Sequence, residues 1–392
     1  MENFFDFIDK RLFLRKSKHQ LRSLSPINFP KEEFSLEKET RKFIDFSSND
    51  YLGLANHPFL KEKSMEYLSK YGCGAKSSRF FSKNFSLYSN LEKKIAYLKG
   101  REDALILNTG YQANLSIINA LTKKKSIVFA DRLCHHSLLM GIKLSGARLI
   151  RYRHNDYDHL KKCMENNFSQ GNTLIVTESV FGMDGDRADL DKIIETKKRF
   201  NAFLYVDEAH ATGILGSKGS GLASNKKDID LVMGTFGKAL GSFGAYAACS
   251  KKLKQYLVNY CGGFIYSTAL PPPILGAIDA ALELLPQMEK ERREIQENAK
   301  NLRKTLSQQG WNCGNSTTHI IPILMGRESN ALKLKEELYR RGIFVAAIRP
   351  PTVPIKQSRI RLALSSSLPS ELLGFFSKEM LEISKLGIDC GT

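Results

Sequence analysis

An α/β chain is predicted: a large domain on a mainly parallel seven-stranded sheet, followed by a smaller α+β C-terminal domain. Three observations predict it. Seven short apolar runs, at 104–107, 127–130, 148–150, 174–176, 203–206, 231–233 and 245–248, are mostly separated by stretches of helical periodicity. Polar residues and glycines gather just after these runs, where open α/β sheets hold their ligands. Beyond Pro271-Pro272-Pro273 the pattern changes to a long charged helix at 289–306 and shorter strands near 320–324 and 343–348. A length of 392 residues suffices for two such domains, with expected segments 1–45, 46–275 and 276–392.

In chain order, residues 1–24 read as a basic amphipathic helix, with Phe4, Phe5, Ile8, Leu12 and Phe13 at helical spacing. It has too little core to stand alone and is expected to pack on the body or on a second subunit. A strand at 43–46 leads into the polar turn Ser47-Ser48-Asn49-Asp50-Tyr51, and Pro58 starts a helix. Asn108-Thr109-Gly110-Tyr111 follows the first apolar run, where free N–H groups at a helix start could hold a phosphate. Asp131 to His135, Thr177-Glu178 and Asp207-Glu208-Ala209-His210 follow later runs. In the last stretch Arg359 and Arg361 share one face of a strand, behind the proline-stiffened loop Arg349 to Pro354.

Lys238 is the centre of this arrangement. It lies in Thr235-Phe236-Gly237-Lys238, at the end of a buried strand and before two further glycines, Gly241 and Gly244. An amine there is costly unless bonded, and a Schiff base to an aldehyde cofactor removes the problem. A surface turn lysine is the plainer alternative. A metal site on His135, Asp207 and His210 is another, although no metal is expected. D-E-A-H also occurs as a helicase box, but no G-x-x-x-x-G-K-[ST] loop accompanies it. No G-x-S-x-G elbow is present either.

Composition narrows the class. The net charge of +18 is spread along the chain and mixed with acids, which argues for a solvated basic surface rather than a nucleic-acid stripe. No apolar run has the length of a membrane span, and the N-terminus has no cleavable apolar signal, so a cytoplasmic protein is expected. Cys73, Cys134, Cys163, Cys249, Cys261, Cys313 and Cys390 form no C-x-x-C pair and fit reduced thiols.

With these residues assembled, the chain resembles the α-oxoamine synthases, pyridoxal-phosphate enzymes of fold type I, from about Arg22 to Leu364. The motifs are S-N-D-Y-L-G-L (48–54), D-R-L-C-H-H-S-L-L (131–139), V-F-G-M-D-G-D (180–186), V-D-E-A-H-A-T-G (206–213), T-F-G-K (235–238) and Y-S-T-A-L-P-P (266–272). The resemblance implies that Lys238 holds pyridoxal phosphate and, once freed by the amino acid, takes its Cα proton. Asp207 would face the protonated ring nitrogen, and His135, but not His136, would stack on the ring. His210 would bond the ring's phenolate oxygen, Gly110 and Tyr111 would line the cofactor, and Thr235 would hold its phosphate. Ser267 and Thr268 would reach that phosphate from a second subunit, so a homodimer with shared active sites is implied. Arg361, helped by Asn49, would grip the amino-acid carboxylate, while Arg22 and Thr352 would lie on the acyl side.

Within the family, A-I-R-P-P-T-V-P (347–354) is similar to the branch that joins L-alanine to a pimeloyl thioester, on coenzyme A or an acyl carrier protein, in biotin synthesis. Glycine with acetyl- or succinyl-CoA, and serine with a long acyl chain, are the alternatives. A non-catalytic partner subunit is opposed by the retention of Lys238, Asp207, His135 and His210 together. The chain departs from the family at Lys76-Ser77-Ser78 and Lys83, where glycines are usual. It departs again at Tyr88, usually histidine, and at Gly182, usually serine, with Ser179 as the expected substitute.

Overall fold

The computed structural model describes residues 3–24, 35–38, 41–81, 86–167 and 172–387; Lys83 and Cys390 lie outside the described residues. Two compact units are present. One comprises Met1–Ser48, Met183–Gly185 and Glu294–Thr392, the other Asn49–Gly182 and Asp186–Arg293. Strands are numbered in chain order: β1 (Ser35–Lys38), β2 (Arg41–Asp45), β3 (Asp103–Leu107), β4 (Ile127–Asp131), β5 (Arg148–Tyr152), β6 (Thr173–Glu178), β7 (Phe203–Asp207), β8 (Leu231–Thr235), β9 (Ala245–Cys249), β10 (Ile320–Gly326), β11 (Ile343–Phe344), β12 (Ala346–Ile348) and β13 (Ser358–Ala363).

The larger unit carries a seven-stranded sheet in the order β3-β9-β8-β7-β6-β4-β5. Its pairings are parallel from β8 through β5, and β9 runs antiparallel to both β3 and β8. Every residue of β4, β6 and β9 is buried, which is why they read as unbroken apolar runs rather than alternating ones. Val128, Ile175, Val206 and Val232 have no exposed surface. Each such side chain contributes about 1.5–3 kcal/mol on burial. The parallel strands end on one rim with Asp131, Glu178, Asp207 and Thr235, and register sets Glu178 directly opposite Asp207.

In the smaller unit, β1-β2-β11 and β10-β13-β12 form two three-stranded sheets. The single strand expected at 343–348 is two: β11 pairs with β2 and β12 with β13. Val345 between them is buried, so the chain changes sheets there without leaving the core. Phe43 stacks on Tyr339 at 4.4 Å and Phe46 packs on Phe376 at 4.7 Å between ring centroids.

The first helix spans Phe4–Ser17 rather than 1–24. Asn3 caps it by accepting from Phe5 and Asp6 N–H, while Asp6 accepts from Asn3 N–H. It buries none of its residues, and Phe4 and Phe5 are each 73% exposed, so the expected packing on the body is not observed. Among the described residues no helix is long and apolar enough to cross a membrane. The six described cysteines are free.

Candidate active site

The turn after β8 sets Lys238. Thr235 Oγ1 accepts from Gly237 N–H at 3.1 Å and donates to the Gly244 carbonyl at 2.8 Å, which closes the turn. Lys238 is half-buried, and its Nζ lies 2.7 Å from His210 Nε2. His210 Nδ1 in turn lies 2.7 Å from Tyr51 Oη, which donates to Asn49 Oδ1 at 2.9 Å. A hydroxyl has one proton, so Tyr51 accepts from His210 Nδ1–H, and Nε2 offers its lone pair to Lys238. Asn49, His210 and Lys238 are thus joined in one hydrogen-bonded line, with Tyr51 as the link.

A second line joins Asp207 to His135. Asp207 Oδ1 accepts from Ala209 N–H at 2.9 Å and Oδ2 from Asn114 Nδ2 at 2.8 Å. The same Asn114 nitrogen lies 2.9 Å from Ser137 Oγ, which lies 2.6 Å from His135 Nδ1. Tyr205 Oη donates to Asn114 Oδ1 at 2.7 Å and fixes which way the amide faces. Desolvation lowers the His135 pKa, and the Lys238 charge acts in the same direction. The His135 N–H donates to Glu178 at 2.6 Å. Burial, and next the Asp207 charge, push the Glu178 carboxyl well above its ordinary range.

Helix Gly110–Leu121 starts at its predicted place, with Thr109 Oγ1 capping Gln112 N–H at 3.1 Å. A Cβ at Gly110 would lie 3.7 Å from that of Thr235, so the N–H groups of the first turn and this hydroxyl border one spot. Tyr111 meets His135 edge-on and His136 in a stack. Ser267 Oγ accepts from Gln112 Nε2 at 2.6 Å, and the Thr268 carbonyl from Asn108 Nδ2 at 2.5 Å, both in their own chain. Tyr88 steadies the same segment by donating to the Leu270 carbonyl at 2.6 Å. In the smaller unit, Arg22 Nη2 donates to Thr352 Oγ1 at 2.9 Å. Arg361 is buried in β13, and Arg359 on the same strand is bound to Asp184 at 2.5 Å.

Gly182 leaves no room for a side chain: a Cβ there would fall 2.2 Å from His210 Nε2. Ser179 Oγ is buried with no hydrogen-bond partner among the described residues. Tyr51 and Asn114 were not singled out from the sequence as site residues. The available signal was an asparagine on the buried side of helix Gly110–Leu121. No group of three or more His, Cys, Asp or Glu among the described residues could hold a metal ion.

The loop that carries His135 begins at Asp131, held by a half-buried clamp. His154 bonds Asp131 at 2.8 Å and Asp186 at 2.7 Å through its two ring nitrogens. Burial alone would lower its pKa; the hydrogen bonds and charges of the two aspartates outweigh it and push it up to about 10. The folded value exceeds the ordinary 6.5. The stabilisation is therefore complete below about pH 6.5 and is lost as pH rises through about 10. A His154→Gln variant, which cannot titrate, is expected to show a melting temperature that depends less on pH across this window. Parallel pH profiles would refute the clamp's charge.

Residues 41–374 match the aminotransferase class I and II family. A protein of Gluconacetobacter diazotrophicus named 8-amino-7-oxononanoate synthase is 43% identical over 375 residues, 94% of each chain. This chain belongs to that synthase family. One of Bordetella pertussis, provisionally given the same name, is 50% identical over 339 residues, 85% of each chain. The solved 8-amino-7-oxononanoate synthase of Francisella tularensis superposes with a TM-score of 0.77 at 29% identity, covering 88% of this chain and 98% of that one. A structure of SPT with PLP superposes at 0.90 with 25% identity over 98% of each.

As a member of the synthase family the chain is an acyltransferase that uses pyridoxal phosphate. The larger unit fits that cofactor. It offers an amine on a hydrogen-bonded line, a carboxylate held by two N–H donors, and a helix start beside a threonine hydroxyl.

Proposed function

We propose that this chain condenses L-alanine with a pimeloyl thioester, releasing CO2 and free thiol and forming 8-amino-7-oxononanoate for biotin synthesis. One C–C bond forms at the alanine Cα, and the C–S bond and the bond to the carboxyl carbon break. The observation that carries the reading is the Lys238–His210–Tyr51 line beside a held Asp207. The names of the relatives and the 347–354 loop favour the substrates.

Bound pyridoxal phosphate supplies an electron sink that makes the Cα proton removable. In this reading Lys238 tethers the cofactor and later takes that proton on Nζ, where His210 Nε2 is the next acceptor. Asp207 supplies fixed negative charge opposite the ring nitrogen. His135 would cover one ring face, Gly110, Tyr111 and Thr235 would receive the phosphate end, and His210 would donate to the ring oxygen once Nε2 carries a proton. Arg361, with Asn49, takes the amino-acid carboxylate, an anion that a guanidinium fork suits. Arg22 and Thr352 serve the acyl donor. The assembly is a homodimer in which Ser267 and Thr268 serve a second copy, and the exposed aromatic face of helix Phe4–Ser17 is where that copy would lie.

The test is mass analysis of the product from L-alanine with pimeloyl-CoA or a pimeloyl carrier protein. The expected product is 8-amino-7-oxononanoate, with one thiol freed for each molecule. Condensation with glycine or serine but not alanine would overturn the substrate assignment. The +18 charge leads us to expect faster turnover at low salt with the acidic carrier. Equal rates would remove that part.

A further inference from the structure

Glu208 stands between Asp207 and His210 and has no part in the chemistry above. It is fully buried, as is Lys99. A cation and an anion out of water persist only when their donors and acceptors are matched. Lys99 Nζ donates to Glu208 Oε2 at 2.9 Å, to Thr212 Oγ1 at 2.8 Å and to the Ser220 carbonyl at 2.6 Å. Its three N–H groups are thereby used. Glu208 Oε1 accepts from Leu222 N–H at 2.6 Å and from Ala223 N–H at 2.9 Å. Thr212 Oγ1 also meets Tyr246 Oη of β9 at 2.8 Å. Gly221 has φ +88°, and a Cβ there would lie 2.1 Å from Glu208 Oε2, so the carboxylate is seated against bare backbone.

The geometry is specific to the turn after β7. Lys99 grips residues 208 and 212, which flank His210 by two positions on each side. Ala211 and Thr212 N–H both bond the Glu208 carbonyl at 3.0 Å, closing the turn between the gripped residues. Glu208 N–H bonds the Met233 carbonyl at 2.7 Å, tying the turn to the strand that leads to Lys238. Apolar packing is non-directional and would let such a turn slide; a fully matched charge pair specifies one placement.

We propose that Lys99 and Glu208 are a positioning pair that aims Asp207 and His210, and so sets both cofactor retention and the proton equilibrium at Lys238. This rests on the site assignment made above. Neither residue touches the reacting atoms; they act through the turn between them.

The test uses holoenzyme of a Lys99→Met/Glu208→Gln double variant and of Thr212→Val. In the double variant the amide oxygen still serves Leu222 and Ala223, and neither new side chain is charged, so the fold has no unpaired charge to expel. Melting reports folding, visible absorbance during dilution reports pyridoxal phosphate retention, and the pH midpoint of that absorbance reports the proton equilibrium. The double variant is expected to fold, to hold the cofactor about tenfold more weakly, as a slightly misplaced group does, and to shift the midpoint. Thr212→Val should move both readouts in the same direction by less. Parent retention and parent midpoint in either folded variant overturn the proposal, and Thr212→Val decides if the double variant does not fold. Asp207→Asn is run alongside: if it too leaves both readouts at parent values, the site assignment itself fails.

Discussion

A Lys238→Ala variant is expected to show no visible absorbance from bound pyridoxal phosphate and to turn over at least about 10⁴-fold more slowly than the parent. The tether and the proton acceptor are the same atom, so one substitution removes both. The fold should survive, because Lys238 is half-buried and its hydrogen bond to His210 is worth about 1 kcal/mol. Absorbance spectra and thiol release measured on the same preparation decide it. A coloured, active Lys238→Ala protein would remove the foundation of the site.

Asp207→Asn separates binding from chemistry. The asparagine can still accept from Ala209 N–H, but its NH2 would face the Asn114 NH2, whose orientation Tyr205 fixes. That donor–donor contact costs about 1–3 kcal/mol. Loss of the fixed negative charge costs more, because the cofactor withdraws electrons best with its ring nitrogen protonated. Turnover is expected to fall about 10³-fold while the protein stays folded and coloured. Parent turnover would show that the ring nitrogen is served elsewhere.

Much of the larger unit was legible because its strands are buried on both faces and read as continuous apolar runs. Lys238, Asp207 and His210 were legible for a related reason: each sits at or just past the end of such a run. The links among them were not. Tyr51 reaches His210 across 159 positions, and Asn114 reaches Asp207 across 93. No local pattern announces a partner at that distance. The first helix shows a different limit, since periodicity identified apolar residues that the chain leaves exposed. At Val345 the sequence reads straight through, and only the competing partners β2 and β13 divide the strand.

The tight fit at Gly182 has a consequence for hybrids made by recombination among relatives. In this chain the imidazole of His210 occupies the volume that a side chain at 182 would claim, so a side chain there requires the imidazole to move. A crossover placed between them would bring a donor's serine against the imidazole as this chain seats it, and such hybrids are expected to survive less often than either parent. Junctions outside 182–210 keep the pair intact, and a library built on both designs would show the difference in its surviving fraction.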